Sequence, residues 1–289
     1  MQSKGEAGLK MKPEQLYLKN AGLILIAAGL VFALDQLLHT SWLTLSVMPV
    51  LGAIGYIWGL KLKRFAWVIP GALVLGVGLS SAAMLVPLHL SDEFRTEWFL
   101  RSGAALILFG ISWLAIFMAS WAACQTIAWW VLIPGLTILG GGVAFLAEIA
   151  SPLDFFCYPL LGLGISLLAW GYFEKLLGLI IPGSLIIGIA AGIYFAWSKV
   201  TSPSGLAETG IMLVWFALGW VLITLFTRAA MAKFVWWPLI PGGLLAMVGW
   251  GLYVGGNPDN ALNFIGNTGS VSLILFGVYL LLLKRSFKG

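Results

Sequence analysis

Four ionisable side chains lie within or at the ends of long apolar stretches of this 289-residue chain, and they are the residues best suited to chemistry. Asp35 and His39 are four positions apart, while Arg101 and Glu148 belong to other apolar stretches. Residues four apart share a helix face, so Asp35 and His39 could relay a proton or hold a cation together with Glu148. Because charge is costly to bury in an apolar phase, we take Asp35, His39, Arg101 and Glu148 as a candidate site for an ion, a proton or a solute.

A structural interpretation of the same residues competes with this one, and we favour it. All four lie toward the outer ends of their stretches, where long side chains reach the polar boundary and charge costs little. Arg101 would then pair with Glu97, one helical turn earlier.

Other chemistry finds little support in the sequence. His89 precedes Asp92 and Glu93, but "SDEF" is better explained as a helix start with a serine cap and acidic residues in the first turn. The sequence contains no HExxH motif, nucleophile elbow or phosphate-binding loop. We therefore expect no catalytic residue, no metal site, no cofactor and no enzymatic activity.

Composition places the chain in a lipid bilayer. Hydrophobic residues make up 61% of it and charged residues 9%, and the mean hydropathy is +1.00. A helix needs about 20 apolar residues to cross a bilayer. Ten such stretches occur, at 20–38, 42–60, 66–86, 97–121, 126–148, 154–172, 176–197, 208–226, 235–254 and 267–283.

These spans should be α-helices, because none shows the polar–apolar alternation of a barrel strand. The sequence thus predicts an all-α polytopic protein of the cell membrane. A cytoplasmic segment (1–19) precedes the transmembrane domain (20–283), and a cytoplasmic tail (284–289) follows it.

The basic residues predict the orientation. A cytoplasmic N-terminus leaves only Arg95, Arg101 and Lys199 outside and puts the other 13 of the 16 lysines and arginines inside. This is the asymmetry of the positive-inside rule, and with ten spans both termini are cytoplasmic. The inner face would suit anionic lipid headgroups, whereas nothing indicates nucleic-acid binding.

One phrase recurs along the chain. "WVIPG", "VLIPG", "LIIPG" and "PLIPG" end at Gly71, Gly135, Gly183 and Gly242, at the cytoplasmic start of spans three, five, seven and nine. Proline is tolerated there because the first helical turn has no intrahelical partner for its amides. Tryptophans close to these starts are expected to anchor the helices in the headgroup region.

Each of these glycines is followed seven residues later by another small residue on the same helix face. Such a face lets a neighbouring helix approach closely. We call these residues, together with Gly22 and Gly29 of span one, the glycine seam. Its members are Gly22, Gly29, Gly71, Gly78, Gly135, Gly142, Gly183, Ala190, Gly242 and Gly249.

The inward-running spans match more loosely, through "MPVLG" (48–52), "YPLLG" (158–162) and two copies of "LILFG" (106–110 and 273–277). The repeating unit would be a two-helix hairpin, and successive hairpins would be parallel repeats. Spans one and ten could complete a fifth hairpin and close the repeats into a ring.

The repeated aromatic-x-(L/I)-I-P-G hairpin resembles segments of uncharacterised bacterial multi-pass proteins and, distantly, the transmembrane domains of LiaI/LiaF-type envelope-stress proteins. That resemblance implies a membrane domain without catalytic residues. Ten spans also resemble drug/metabolite transporters, but those have inverted five-helix halves, and we see no likeness between residues 1–145 and 146–289.

Two classes of function remain open. A non-enzymatic scaffold, sensor or complex subunit explains helices that are rich in glycine and nearly free of charge, with a membrane protein of unknown identity as a partner. A transporter of small solutes or ions explains the span count and would use Asp35, His39 and Glu148.

Overall fold

The structure is a computed structural model that describes residues 26, 29–37, 42–85, 94–123, 125, 127–147, 152–197, 205–255 and 266. Residues 29–37 are helical. Eight further α-helices have these bounds: α1 Trp42–Leu62, α2 Phe65–Leu85, α3 Phe94–Ala122, α4 Leu132–Leu146, α5 Pro152–Phe173, α6 Leu177–Trp197, α7 Gly205–Met231 and α8 Leu239–Gly255. A 3-10 turn, Trp129–Val131, leads directly into α4.

Seven of these helices are long and apolar enough to cross a membrane, counting the 3-10 turn with α4, and α8 is a shorter apolar helix. The protein is therefore a multi-pass helical membrane protein. Apolar side chains such as Leu37, Phe156 and Trp236 are more than half exposed and would face lipid. Of the predicted first span, 20–38, residues 26 and 29–37 are described, whereas the predicted tenth span lies outside the described residues.

Helices that follow one another in the sequence are antiparallel and pack side by side. Among the described helices, each from α1 to α8 packs mainly on the helix before it and the helix after it, and the α5 and α7 helices also touch. The helices therefore form an array in chain order, not a bundle around one central core.

Tight turns join the helices at one end of this array. Lys63, Gln125, Lys175 and Ala232 each follow a helix with a left-handed φ, between 52° and 57°. The Arg64 amide donates to the Gly59 carbonyl at 3.1 Å, and the Leu176 amide donates to the Gly171 carbonyl at 2.8 Å. These bonds close the ends of α1 and α5 in the same way, as in a Schellman motif. We call this end of the array the basic end, because Lys63, Arg64, Lys175 and Lys233 lie there.

Candidate functional site

The structure describes two of the four residues of the predicted ion or solute site. Asp35 is almost completely buried, at 3% exposure, within the helical segment 29–37. His39 and Glu148 lie outside the described residues, so the proximity of these two side chains to Asp35 stays a prediction.

Arg101 pairs with Glu97, one turn earlier on α3, as the structural interpretation of the sequence expected. Both side chains are about one-fifth exposed, at 23% and 19%. An aromatic cluster borders this turn, in which Trp98, Phe99 and Phe145 pack with ring centroids 5.5 to 5.9 Å apart. Arg101 thus has a carboxylate partner on its own helix, while its Nε is buried without a hydrogen bond to any group that the structure describes.

The other carboxylates that the structure describes are also engaged. The indole N–H of Trp129 donates to Glu174 at 2.6 Å, and that of Trp197 donates to Glu208 at 3.0 Å. Asp154, in the first turn of α5, is 5% exposed and has interactions of its own, as Asp35 does. Each carboxylate in the described part of the chain thus has at least one interaction within the protein.

The described residues contain no group of three histidine, cysteine or acidic side chains that lie close enough together to bind a metal ion. Cys157 is a buried free thiol on α5. Cys124, the other cysteine of the chain, lies outside the described residues.

The glycine seam lies at the contacts between consecutive helices. A methyl group on Gly183 would lie 2.6 Å from the Leu168 amide nitrogen, and one on Gly78 would lie 2.5 Å from the Pro49 nitrogen. On α8, a methyl group on Gly249 would be 2.7 Å from the Gly210 carbonyl oxygen. In each case the neighbour is the backbone of the preceding helix, so these positions admit glycine alone without a shift of the helices.

The remaining seam residues fall into the same pattern or outside the structure. Gly71 meets Tyr56, and Ala190 is fully buried. Methyl groups on Gly135, Gly142 and Gly242 would lie 3.0, 2.7 and 2.9 Å from side chains of Trp113, Ile107 and Trp220. Gly29 departs from this pattern, because a methyl group on it would meet no atom within 4 Å among the residues that the structure describes. Gly22 lies outside the described residues.

A second set of glycines faces the following helix, and this set was not predicted from the sequence. Gly76, Gly140 and Gly188 each stand five residues after the glycine of a P-G pair. Methyl groups on them would collide with Ser112 of α3, Tyr158 of α5 and Gly219 of α7. The spacing to the P-G pair was visible in the sequence and could have revealed these forward glycines. In α8 the corresponding residue is Met247.

The arrangement can hold helices together closely, and it offers no described constellation of groups for covalent chemistry. No protein-family model, curated protein or solved structure matches this chain.

Proposed function

We propose that this protein is a non-enzymatic scaffold of the cell membrane, a subunit that holds a partner membrane protein or lipid against a rigid array of helices. The observation that carries this proposal is that glycines bring the backbones of successive described helices together along the array. Close backbone contact favours a stiff structure, because helix packing in lipid depends on van der Waals contact.

The distribution of charge supports the same proposal. The charged residues that the structure describes in α1 to α8 lie in the first or last turns, apart from Arg101, which pairs with Glu97 two turns into α3. Moving a polar solute across a bilayer calls for polar groups at mid-depth, and the described helices supply no charged one there.

We further propose that the array is a parallel repeat whose unit is four helices, a pair of unlike hairpins, and not one hairpin. The hairpin α1–α2 resembles α5–α6 at a shift of 112 residues. The residues shared are Trp58, Gly59, Lys63, Ile69, Pro70 and Gly71, and then Trp170, Gly171, Lys175, Ile181, Pro182 and Gly183. The Schellman turns at Gly59 and Gly171 support this equivalence.

The hairpin α3–α4 resembles α7–α8 at a shift of 107 residues. The residues shared include Gly103, Leu106, Phe109, Trp113 and Ile116, and then Gly210, Leu213, Phe216, Trp220 and Ile223. The matching tryptophans have matching geometry: Trp113 meets Trp130 edge-on at 6.2 Å and 80°, and Trp220 meets Trp237 at 6.0 Å and 76°. The two pairs of hairpins align at different shifts, 112 and 107 residues. An alignment of residues 1–145 with 146–289 at one shift therefore does not reveal both likenesses.

The segment before α1 fits the same scheme. Residues 22–35, "GLILIAAGLVFALD", resemble residues 135–148, "GLTILGGGVAFLAE". Span one would then correspond to α4, and Asp35 would correspond to Glu148. The proposal keeps ten spans, cytoplasmic termini and a basic end that meets anionic lipid at the cytoplasmic face.

A flux measurement tests the scaffold proposal. Proteoliposomes of the wild-type protein, loaded with a pH-sensitive dye or a cation indicator, should leak no faster than empty vesicles. The triple variant Asp35→Asn, His39→Gln and Glu148→Gln should co-purify with the same membrane proteins as the wild type. A proton or cation flux that collapses in Asp35→Asn would contradict the scaffold.

The second candidate function is transport of an ion or small solute, and the burial of Asp35 favours it. An acidic side chain that is 3% exposed beside lipid is a default functional candidate. Under the four-helix repeat, Asp35 and Glu148 would serve two like sites in successive units. Their single neutral variants should then each remove part of the flux, whereas members of one shared site should each abolish it.

A further inference from the structure

One face of α7 carries three polar side chains against α8 near the basic end. Trp220, Thr224 and Thr227 stand at spacings of four and three residues, and therefore on one helix face. This face meets the start of α8, since a methyl group on Gly242 would lie 2.9 Å from the Cβ of Trp220. The Trp237 ring stands edge-on to the Trp220 ring at 6.0 Å.

The polar atoms of these three side chains are buried without a partner. Trp220 Nε1, Thr224 Oγ1 and Thr227 Oγ1 have no hydrogen bond to any group that the structure describes. Thr224 is 4% exposed and Thr227 is fully buried. Native proteins leave few such groups unsatisfied, because a buried donor or acceptor without a partner is costly.

The matching face of α3 provides an internal comparison. Trp113 corresponds to Trp220, Phe117 to Thr224 and Ser120 to Thr227. The Ser120 hydroxyl accepts from the Ala128 amide at 3.2 Å and donates to the Phe117 carbonyl at 2.7 Å. The α3–α4 hairpin thus has the apolar ring of Phe117 at the middle position, and at the next position the Ser120 hydroxyl has its hydrogen bonds. Only Trp113 Nε1 shares the unpaired state there.

The loop before α8 also differs from the loop before α4. Pro238 is fully buried and stands at the position of Val131, whose amide donates to the Ala128 carbonyl at 3.1 Å. Proline has no amide hydrogen, so it cannot repeat that turn bond. The Val235 amide stands at the position of the Ala128 amide but does not donate to Thr227 Oγ1, which has no partner.

We propose that the interface between α7 and α8 is a hydration site, in which ordered water enters from the basic end and bonds to Thr227, Thr224 and Trp220. A buried water needs two to four polar partners. Residues three or four positions apart on a helix have Cβ atoms roughly 5–6 Å apart, so one water can bridge Thr227 and Thr224, and a second can bridge Thr224 and the indole N–H of Trp220. Helical rise places Thr227 roughly 6 Å and Trp220 roughly 16 Å from the end of α7 at Met231. None of the three groups carries a charge, which favours water over an ion.

Isosteric variants provide the first test. Thr224→Val and Thr227→Val keep the side-chain shape and remove the hydroxyl. If water occupies the site, each variant loses a hydrogen bond, and its melting temperature in detergent should fall by ~2–4 °C. In a dry interface the same change removes an unpaired hydroxyl, so a melting temperature that is unchanged or raised contradicts the proposal.

Accessibility to a thiol reagent provides the second test. Its result decides if it disagrees with the melting temperatures. With Cys124 and Cys157 replaced, single cysteines at Thr224 and Thr227 should react with a small water-soluble thiol reagent added at the basic end. Two controls should stay unlabelled: a cysteine at Phe117, the dry equivalent position, and one at Leu225, which is 56% exposed toward lipid. Folded protein that is unlabelled at both threonine positions would overturn the proposal.

Discussion

The α-carbon of Gly140 lies against the carbonyl oxygen of Tyr158 on the next helix, so closely that a methyl group on Gly140 would collide with that oxygen. Gly140 is the first of three consecutive glycines in α4. A methyl group on Gly141 would meet only Leu106 Cδ1, at an ordinary 3.8 Å, and one on Gly142 would meet Ile107 of the preceding helix at 2.7 Å. The outer two glycines thus serve two different interfaces.

We expect Gly140→Ala to destabilise the protein and Gly141→Ala to be tolerated. The first forces α4 and α5 apart, at a cost of about 1–3 kcal/mol. The second adds a helix-favouring residue where space exists and should be neutral or stabilising by about 0.4–1 kcal/mol. Thermal unfolding in detergent compares the two neighbouring variants. Equal melting temperatures would show that the glycines reflect composition and not packing.

Replacing Gly142 with leucine should reduce the folded yield, while Val143→Leu should not. Gly142 faces Ile107, whereas Val143 is 43% exposed on the lipid side of the same helix. Size-exclusion profiles of the two variants measure the difference. A monodisperse Gly142→Leu protein at wild-type yield would rule out the seam at this position.

Lys175→Gly should raise stability at the turn between α5 and α6. Lys175 has a φ of 57°, a left-handed conformation that costs a side-chain-bearing residue about 1–2 kcal/mol and glycine almost nothing. Lys175→Ala removes the charge but keeps the strain, so it serves as the control. The melting temperature should rise for glycine and not for alanine, and the opposite order would contradict the explanation.

Trp130→Leu and Trp237→Leu should lose stability by similar amounts if the two hairpins are copies. Each variant removes one edge-on indole contact, worth about 0.5–1.5 kcal/mol beyond its buried area. Trp121 is 60% exposed and has no ring contact with the described residues, so Trp121→Leu provides the baseline. A large loss at one tryptophan beside none at the other would speak against equivalent units.

A cysteine at Leu37 should fail to crosslink to cysteines scanned from 270 to 275. Leu37 is 77% exposed, and hairpins of two alternating kinds cannot close a ring of five without placing two like hairpins side by side. Met247, which replaces a forward glycine in α8, also prevents the close contact that α4 makes with α5. Efficient crosslinking at any scanned position would restore the ring.

The class of the protein was predictable from its sequence because lipid allows few solutions. Backbone groups in hydrocarbon must pair within the segment, so long apolar stretches become helices whatever their neighbours are. The pairing of Arg101 with Glu97 was predictable too, because it depends on one helical turn. The number of spans, their orientation and the function stay predictions.

Long-range contacts were decided by the tertiary structure. The seven-residue spacing from Gly183 to Ala190 shows that both lie on one helix face, but only the fold shows that Gly183 meets Leu168 of the preceding helix. The role of Gly188 against α7, and the unpaired state of Thr224 and Thr227, likewise depend on how neighbouring helices are placed. Periodicity specifies which side chains share a face, because it follows from local helix geometry. It cannot specify which helix that face meets, because the partner is chosen by packing between segments distant in sequence.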